Sequence, residues 1–144
     1  MKVFFDASVI IAALLSPTGG SSLLFAYIGL SKITGITSQT AVEEVVEEEH
    51  LKKLKRSKQE IEEFIAQSGL IIREAITLQD IDPYKDLIAA EDAHLVAGSI
   101  LTKCSHLVTL DKKHLLREDI KSKFLPLKIV SPKDLLEEIL FTVL

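Results

Sequence analysis

The sequence predicts an α/β domain with a central parallel sheet of about five strands and helices on both faces. Short apolar segments of strand length, such as residues 3–5, alternate along the chain with segments of helical length. These short segments are continuously apolar, a pattern typical of strands that are buried on both faces. The length of 144 residues suits one domain with a substantial core, so we expect a single domain over residues 1–144.

The first half of the chain is predicted to contain three strands and four helices. A strand over residues 3–5 leads into an apolar run of helical length at residues 7–15, and the Ser-, Pro- and Gly-rich segment 16–22 is predicted to be a loop. Ser57 and Glu60 have the spacing of a capping box at a helix start. The further elements predicted from apolar runs and caps are a helix over 23–32, a strand over 33–37, a helix over 38–56, a helix over 57–67 and a strand over 70–72.

The second half of the chain repeats the alternation of strand and helix. Residues 80–83 form a predicted connection, and Glu91 and Asp92 open a helix that ends at residue 101. The elements predicted after it are a strand over 107–110, a helix that begins at Lys112, a strand over 127–130 and a terminal helix that begins at Ser131-Pro132, with proline at its favoured first position.

Composition and charge exclude several classes of protein. The net charge of −4 argues against a protein that coats nucleic acid through bulk positive charge. The single cysteine, Cys104, excludes an internal disulfide and a cysteine-rich zinc site. The longest apolar run, residues 9–15, is too short to span a bilayer, and the first residues lack the pattern of a secretory leader. We therefore expect a cytoplasmic protein with no membrane partner.

Carboxylates directly follow two of the predicted strands, as Asp6 and Asp111. In an open α/β sheet, ligands bind in the crevice outside the carboxyl ends of the strands. Either residue taken alone is better explained as a helix N-cap, because aspartate accepts the free N–H groups of a helix start. Both can serve one site only if their strands are parallel neighbours, so we expect the strands at Val3 and Leu107 to pair.

Further acids stand near the starts of predicted helices. Glu43, Glu44 and Asp92 are explained either as partners of the helix dipole or as members of the same site. Several carboxylates in one crevice repel one another unless a cation is present, and oxygen ligands of this kind suit Mg²⁺ or Mn²⁺. Such ions activate water for attack on a phosphodiester. The sequence has no glycine-rich phosphate loop of the GxxxxGK or GxGxxG type, so nucleotide binding of that kind has no support.

The acids stand in ordered motifs, which are Phe4-Phe5-Asp6-Ala7-Ser8-Val9, Thr37-Ser38 with Glu44-Val45, Glu91-Asp92-Ala93-His94-Leu95 and Leu107-Val108-Thr109-Leu110-Asp111. This set resembles, in order and spacing, the motifs of the PIN-domain ribonucleases over nearly the whole chain. The size of the chain is similar to that of the VapC-type toxins of prokaryotic toxin–antitoxin pairs. The resemblance implies a PIN-like three-layer α/β/α domain and a Mg²⁺- or Mn²⁺-dependent endoribonuclease acting on RNA, with a small antitoxin protein as a partner.

The resemblance also implies roles for individual residues. The residues implied to be catalytic and metal-ligating are Asp6, Glu44, Asp92 and Asp111. Ser8 and Thr109 would be the hydroxyls that orient these acids. Glu91 is a candidate supporting acid behind the site, with a first-turn helix charge as the equal alternative. Lys112 and Lys113 flank the site and are candidates for phosphate contact.

Two features depart from the family pattern. Some relatives place a further acid two residues after the last aspartate, where this chain has Lys113, so the number of metal ions is left open. Periodicity does not choose between Glu43 and Glu44, and only the resemblance selects Glu44. His94 lies roughly 200° around a helix from Asp92, so we expect it in the core or at the surface and not facing the site.

Two other functions compete with the nuclease. A phosphatase of the haloacid-dehalogenase type also begins with an aspartate at a strand end, but it needs a second aspartate where this chain has Ser8. A non-catalytic or regulatory PIN-like binding module is the other alternative, which an intact set of acids disfavours without excluding.

Apolar surface beyond the needs of one small domain predicts a homodimer. The segments that carry it are residues 23–33 and the tail residues Leu135, Leu136, Ile139, Leu140, Phe141, Val143 and Leu144.

Overall fold

The computed structural model describes residues 1–143, with side chains to residue 142. Its five strands are β1 (Lys2–Phe5), β2 (Thr34–Ser38), β3 (Ile71–Arg73), β4 (His106–Val108) and β5 (Lys128–Val130). They form one sheet in the order β3-β2-β1-β4-β5, and every pairing in it is parallel. The predicted α/β/α fold with a five-stranded parallel sheet is therefore confirmed.

Helices follow the strands along the described chain. They are α1 (Ala7–Leu15), α2 (Gly20–Gly29), α3 (Gln39–Val45), α4 (Glu48–Leu54), α5 (Lys58–Gln67), α6 (Leu78–Ile81), α7 (Ala90–Leu101), α8 (Glu118–Lys121) and α9 (Pro132–Val143). The capping box at Ser57 and Glu60 is present at the start of α5, as predicted. Within residues 1–143, no single helix is long and apolar enough to cross a membrane, although α1 and α2 together, bent by 101°, meet that criterion.

The central strand β1 supplies both halves of the hydrophobic core. Val3 and Phe5 pack in one cluster with buried residues of α1, α2 and α5, and Phe4 packs in a second cluster with Leu95 and Val96 of α7. The side chains of Val3, Phe4 and Phe5 are fully buried. Because side chains of a strand alternate between its two faces, this division places a layer of helices on each side of the sheet.

Two predicted helices have different bounds in the structure. The helix predicted over residues 38–56 is divided into α3 and α4, with Val46 and Glu47 between them. At the break the carbonyl oxygen of Glu44 accepts the Glu47 N–H at 3.2 Å, and the Nδ1 atom of His50 lies 2.6 Å from the same oxygen. No glycine or proline marks this break, so the sequence gives no local signal for it. The helix predicted from residue 23 begins earlier, at Gly20.

The helix predicted at Lys112 is also wrong. Residues 112–116 form turns, and the next helix, α8, begins only at Glu118. The Asp111 carboxylate accepts hydrogen bonds from the backbone N–H groups of Lys113 and His114, at 3.1 and 3.0 Å. These bonds stabilise a local turn in place of a helix.

The topology creates a crevice between β1 and β4. The chain passes from β1 to β2 and β3 on one side, and then to β4 and β5 on the other side of β1. Phe5 is in register with Val108, and the Asp6 N–H donates to the Val108 carbonyl at 3.1 Å. The expectation that these two strands are parallel neighbours is confirmed. A change of direction of this kind is where open α/β sheets bind their ligands.

An ion pair at the opposite, amino-terminal edge of the sheet joins α9 to β4. His106 Nε2 lies 2.9 Å from Glu138 Oε2, and His106 Nδ1 lies 2.6 Å from the Ser105 hydroxyl. Burial alone would raise the pKa of Glu138, but the hydrogen bond to His106 and the charges of His106 and Lys128 lower it overall. The stabilisation from this pKa shift is present above the ordinary glutamate value and is lost as the pH falls through the folded-state value.

We expect Glu138→Gln to lower the free energy of unfolding by about 0.5 to 1 kcal/mol at pH 7, since it removes the charge but keeps the shape. The difference from the parent should be smaller at about pH 3 than at pH 7, because the parent carboxylate gains its proton as the pH falls through its lowered pKa. Urea unfolding at both pH values measures this difference. Glu137→Gln is the matched control, because Glu137 is exposed and has no ion-pair partner among the described side chains. An equal effect of Glu138→Gln at both pH values would contradict the assignment.

Candidate functional site

Asp6 lies in the crevice directly after β1, and its carboxylate is not used as a helix cap. It stands at the N-cap position of α1, but its side chain accepts no capping hydrogen bond. Asp6 Oδ2 instead accepts from the Ser8 hydroxyl at 2.9 Å and from the Thr109 hydroxyl at 2.7 Å. The residue is 7% exposed. Two hydroxyls thus fix a nearly buried carboxylate that does not have the geometry of a helix cap.

Thr109 links this carboxylate to the segment that carries the second strand-end acid. Its Oγ1 atom donates to Asp6 and accepts from the Asp111 N–H at 3.1 Å. Ser8 makes a parallel link, because its Oγ atom accepts from the Leu110 N–H at 3.2 Å. The two hydroxyl residues named in the sequence analysis therefore tie the end of β1 to the end of β4.

Asp92, Asp111 and His114 form a compact group at the same edge of the sheet. One potential ligand atom of each lies within 4.8 Å of those of the other two. Asp92 comes from the first turn of α7, and its Oδ2 atom is buried without a hydrogen-bond partner in the described chain. His114 Nδ1 lies 3.2 Å from Asp111 Oδ2. The sequence analysis did not select His114. The signal that could have identified it is its position three residues after Asp111.

Glu44 approaches from α3 and meets a residue that the sequence analysis placed elsewhere. Its Oε1 atom lies 2.7 Å from Nε2 of His94, which is only 5% exposed. The burial of His94 agrees with the expectation of a core position, but the expectation that it does not face the site is wrong. Helix geometry relates His94 only to other residues of α7, whereas Glu44 comes from a different helix. The neighbouring Glu43 is exposed.

Electrostatic effects connect the four acids. Burial raises the pKa of Asp6, hydrogen bonds from Thr109 and Ser8 oppose the change, and the charge of Glu44 adds to it. Burial also raises the pKa of Asp92, and the charges of Asp111 and Asp6 contribute to that increase. Asp6 and Glu44 lie outside the 4.8 Å group, yet their charges act within the crevice. We call Asp6, Glu44, Asp92 and Asp111 the acid site.

The remaining candidate residues lie at the rim. Glu91 is exposed, and its charge contributes to the raised pKa of Asp92. Lys112 and Lys113 are exposed in the turn that follows Asp111. Neither lysine forms an ion pair within the described chain. Both ammonium groups are therefore accessible beside the acids.

The donor chemistry of the acid site suits a hard divalent cation. Carboxylate oxygens are the ligands that Mg²⁺ and Mn²⁺ prefer, and the buried Oδ2 atom of Asp92 lacks any hydrogen-bond donor from residues 1–142. The raised pKa values of Asp6 and Asp92 show that the charged forms are disfavoured without a compensating positive charge. A cation would relieve both.

Comparisons with known proteins agree with this geometry. A family model described as "PIN domain" matches residues 2–113. A comparison with curated proteins gave no match. The fold is similar to that of VapBC2 from Rickettsia felis, solved bound to a DNA fragment from its promoter, with a TM-score of 0.62 and 15% identity over 91% of this chain and 98% of that chain.

A second solved structure, a toxin–antitoxin complex from Klebsiella pneumoniae, has a TM-score of 0.58 and 20% identity over 90% of this chain and 97% of that chain. At these identities the two structures support the fold. The family model covers well over half of the sequence and includes all four residues of the acid site. The chain therefore belongs to the PIN domain family.

Proposed function

We propose that the protein is a Mg²⁺- or Mn²⁺-dependent endoribonuclease and the toxin of a toxin–antitoxin pair. It hydrolyses a phosphodiester bond of single-stranded or structured RNA by attack of water. The observation that carries the proposal is the placement of Asp6, Asp92 and Asp111 around the β1–β4 crevice of a PIN-family chain. PIN domains are nucleases, and this chain retains an acid at each of the four matching positions.

Each residue of the acid site has a part in this reaction. Asp6, Glu44, Asp92 and Asp111 would hold the cation, and Ser8 and Thr109 keep the Asp6 carboxylate oriented. When bound, the cation makes water a better nucleophile and offsets charge on the phosphate. Lys112 and Lys113, exposed beside Asp111, would contact the RNA backbone as phosphate-binding cations. Glu91 would act only through its charge on Asp92.

A small antitoxin protein is the partner that we propose. The two similar solved structures are, by their printed descriptions, a VapBC assembly and a toxin–antitoxin complex. Beside the acid site lies an open apolar cavity of about 650 Å³, lined in part by Leu110, Leu136 and Leu140. Its charged lining residues are two lysines and one glutamate, which are Lys112, Lys133 and Glu137. Such a surface would accept an apolar segment that carries negative charge.

The unpaired Cys104 fits a cytoplasmic, reducing location.

We also propose that the protein is a homodimer. Large apolar side chains are exposed on α2, at Leu23 (44%), and on α9, at Leu140 (55%) and Phe141 (78%). Leu144, which the sequence analysis included in this surface, lies outside the described residues, as does the side chain of Val143. Light scattering at micromolar concentration should give twice the mass of the chain, and a single-chain mass would contradict the proposal.

Cleavage of total cellular RNA by the purified protein tests the function. With Mn²⁺ or Mg²⁺ we expect discrete fragments, and with EDTA we expect none, because the acids alone cannot activate water effectively. Asp119→Asn is the matched control. This residue pairs with Arg117 at 2.8 Å on the surface, away from the acid site, so the variant should cleave like the parent. Intact RNA in every metal condition would favour the non-catalytic binding module.

A further inference from the structure

We propose that His94 is a positioning residue for Glu44. It fixes one oxygen of the Glu44 carboxylate and leaves the other free for a cation, so that a long side chain on a short helix becomes an ordered ligand. The inference rests on the proposed metal site. It concerns a residue that the sequence analysis assigned to the core or the surface.

The surroundings of His94 require an explanation. The residue is 5% exposed, and neither ring nitrogen has a hydrogen-bond partner within the described chain. A buried polar group without a partner is unfavourable, and such groups are uncommon in folded proteins. An apolar residue buried between this helix and the sheet would give a more favourable free energy of folding. Stability alone therefore does not explain an imidazole at this position.

Glu44 is the one acid among the described residues that pairs with this ring. His94 Nε2 lies 2.7 Å from Glu44 Oε1, a hydrogen-bond distance whose angle falls short of good geometry. A carboxylate turned into line with the ring N–H would complete this hydrogen bond. No other side chain among residues 1–142 bonds to the Glu44 carboxylate, which is 36% exposed on a seven-residue helix.

The two strand-end acids of the site are already held. Asp6 is fixed by the hydroxyls of Ser8 and Thr109, and Asp111 is fixed by two backbone N–H groups. His94 supplies the corresponding restraint for Glu44. Groups that orient a metal ligand in this way typically change metal affinity about 10- to 100-fold when they are removed.

A second histidine–glutamate pair in the same chain provides a matched control. His106 and Glu138 are 2.9 Å apart at the opposite edge of the sheet, and His106 has a partner on its other ring nitrogen as well. His106 is buried to a similar degree, at 4% exposure. Replacing it removes a buried histidine and its glutamate contact without altering the acid site.

Calorimetric titration of MnCl₂ into the metal-free protein tests the inference without any activity assay. We expect His94→Leu to weaken Mn²⁺ binding about 10-fold or more, while His106→Leu leaves it unchanged. His94→Gln should bind more like the parent, because its amide N–H can reach the position of Nε2. In a Glu44→Gln background, His94→Leu should cause little further loss, since the carboxylate that it positions is absent. Thermal unfolding of each metal-free variant verifies its fold, and His94→Met, which also removes the ring N–H groups, replaces the leucine variant if that one unfolds.

The inference is overturned if His94→Leu binds Mn²⁺ like the parent. It is overturned equally if the loss persists in full in the Glu44→Gln background, which would indicate a general structural effect. Failure of the proposed function looks different, because Asp6→Asn and Glu44→Gln would then bind Mn²⁺ as well as the parent.

Discussion

Replacing Asp6 with asparagine should reduce metal-dependent RNA cleavage by on the order of 10³-fold or more while leaving the fold intact. Asparagine keeps the shape of the side chain and can still accept the hydrogen bonds of Ser8 and Thr109 through its carbonyl oxygen. It removes the negative charge that we assign to the cation. The expected loss is therefore in metal binding and rate, and not in folding.

The same substitution should not lower the stability of the metal-free protein at pH 7, and should raise it if the acids repel one another. Because burial raises the pKa of Asp6 above its ordinary value, the native state holds the proton more tightly than the unfolded state. The parent therefore loses stability as the pH rises from about 3.8 to the folded-state pKa, and the asparagine variant does not.

Thermal unfolding with EDTA, measured from pH 3.5 to 7.5, follows this difference, and Asp119→Asn serves as the control for both readouts. If Asp6→Asn cleaves RNA as fast as the parent, the nuclease assignment fails. If the variant is unfolded, the role of Asp6 is structural.

Thr109→Val should produce the second large effect. Valine matches threonine in shape, but it removes the donor to Asp6 and the acceptor of the Asp111 N–H in a fully buried position. We expect Mn²⁺ affinity and RNA cleavage to fall about 10- to 100-fold. The free energy of unfolding should fall by about 1 to 3 kcal/mol, because the partly buried Asp111 N–H and the buried Asp6 carboxylate each lose a partner.

Thr109→Ser is the matched control, since it keeps the hydroxyl and removes only a methyl group at a cost of about 1 kcal/mol. Calorimetric titration with MnCl₂ and urea unfolding of both variants separate the two contributions. Equal Mn²⁺ affinities for the valine and serine variants would show that the hydroxyl does not organise the acid site.

The sequence predicted the architecture well because its signals are local. Continuous apolar runs such as residues 3–5 identify strands buried on both faces, and the Ser57–Glu60 pair locates the start of α5. The order of the strands follows from contacts between distant segments. The prediction that β1 and β4 are neighbours came from the chemistry of Asp6 and Asp111, and the pairing of Phe5 with Val108 confirms it.

Features decided by distant side chains could not be predicted. The choice between a cap and a site residue for Asp6 depends on Thr109, which is 103 positions away. The division of α3 from α4, where the His50 imidazole lies against the Glu44 carbonyl, has no glycine or proline signal. The orientation of His94 depends on Glu44 in another helix. In each case a contact with another element outweighs the local pattern.

The most direct test of the central claim is the response of the metal-free protein to Mn²⁺, for the parent and for Asp6→Asn. If the four acids converge on one cation, the melting temperature of the parent should rise with Mn²⁺ concentration along the curve expected for a ligand that binds the native state. The asparagine variant should show little rise over the same concentrations. Equal increases in both proteins, or none in the parent, would contradict a cation site built on Asp6.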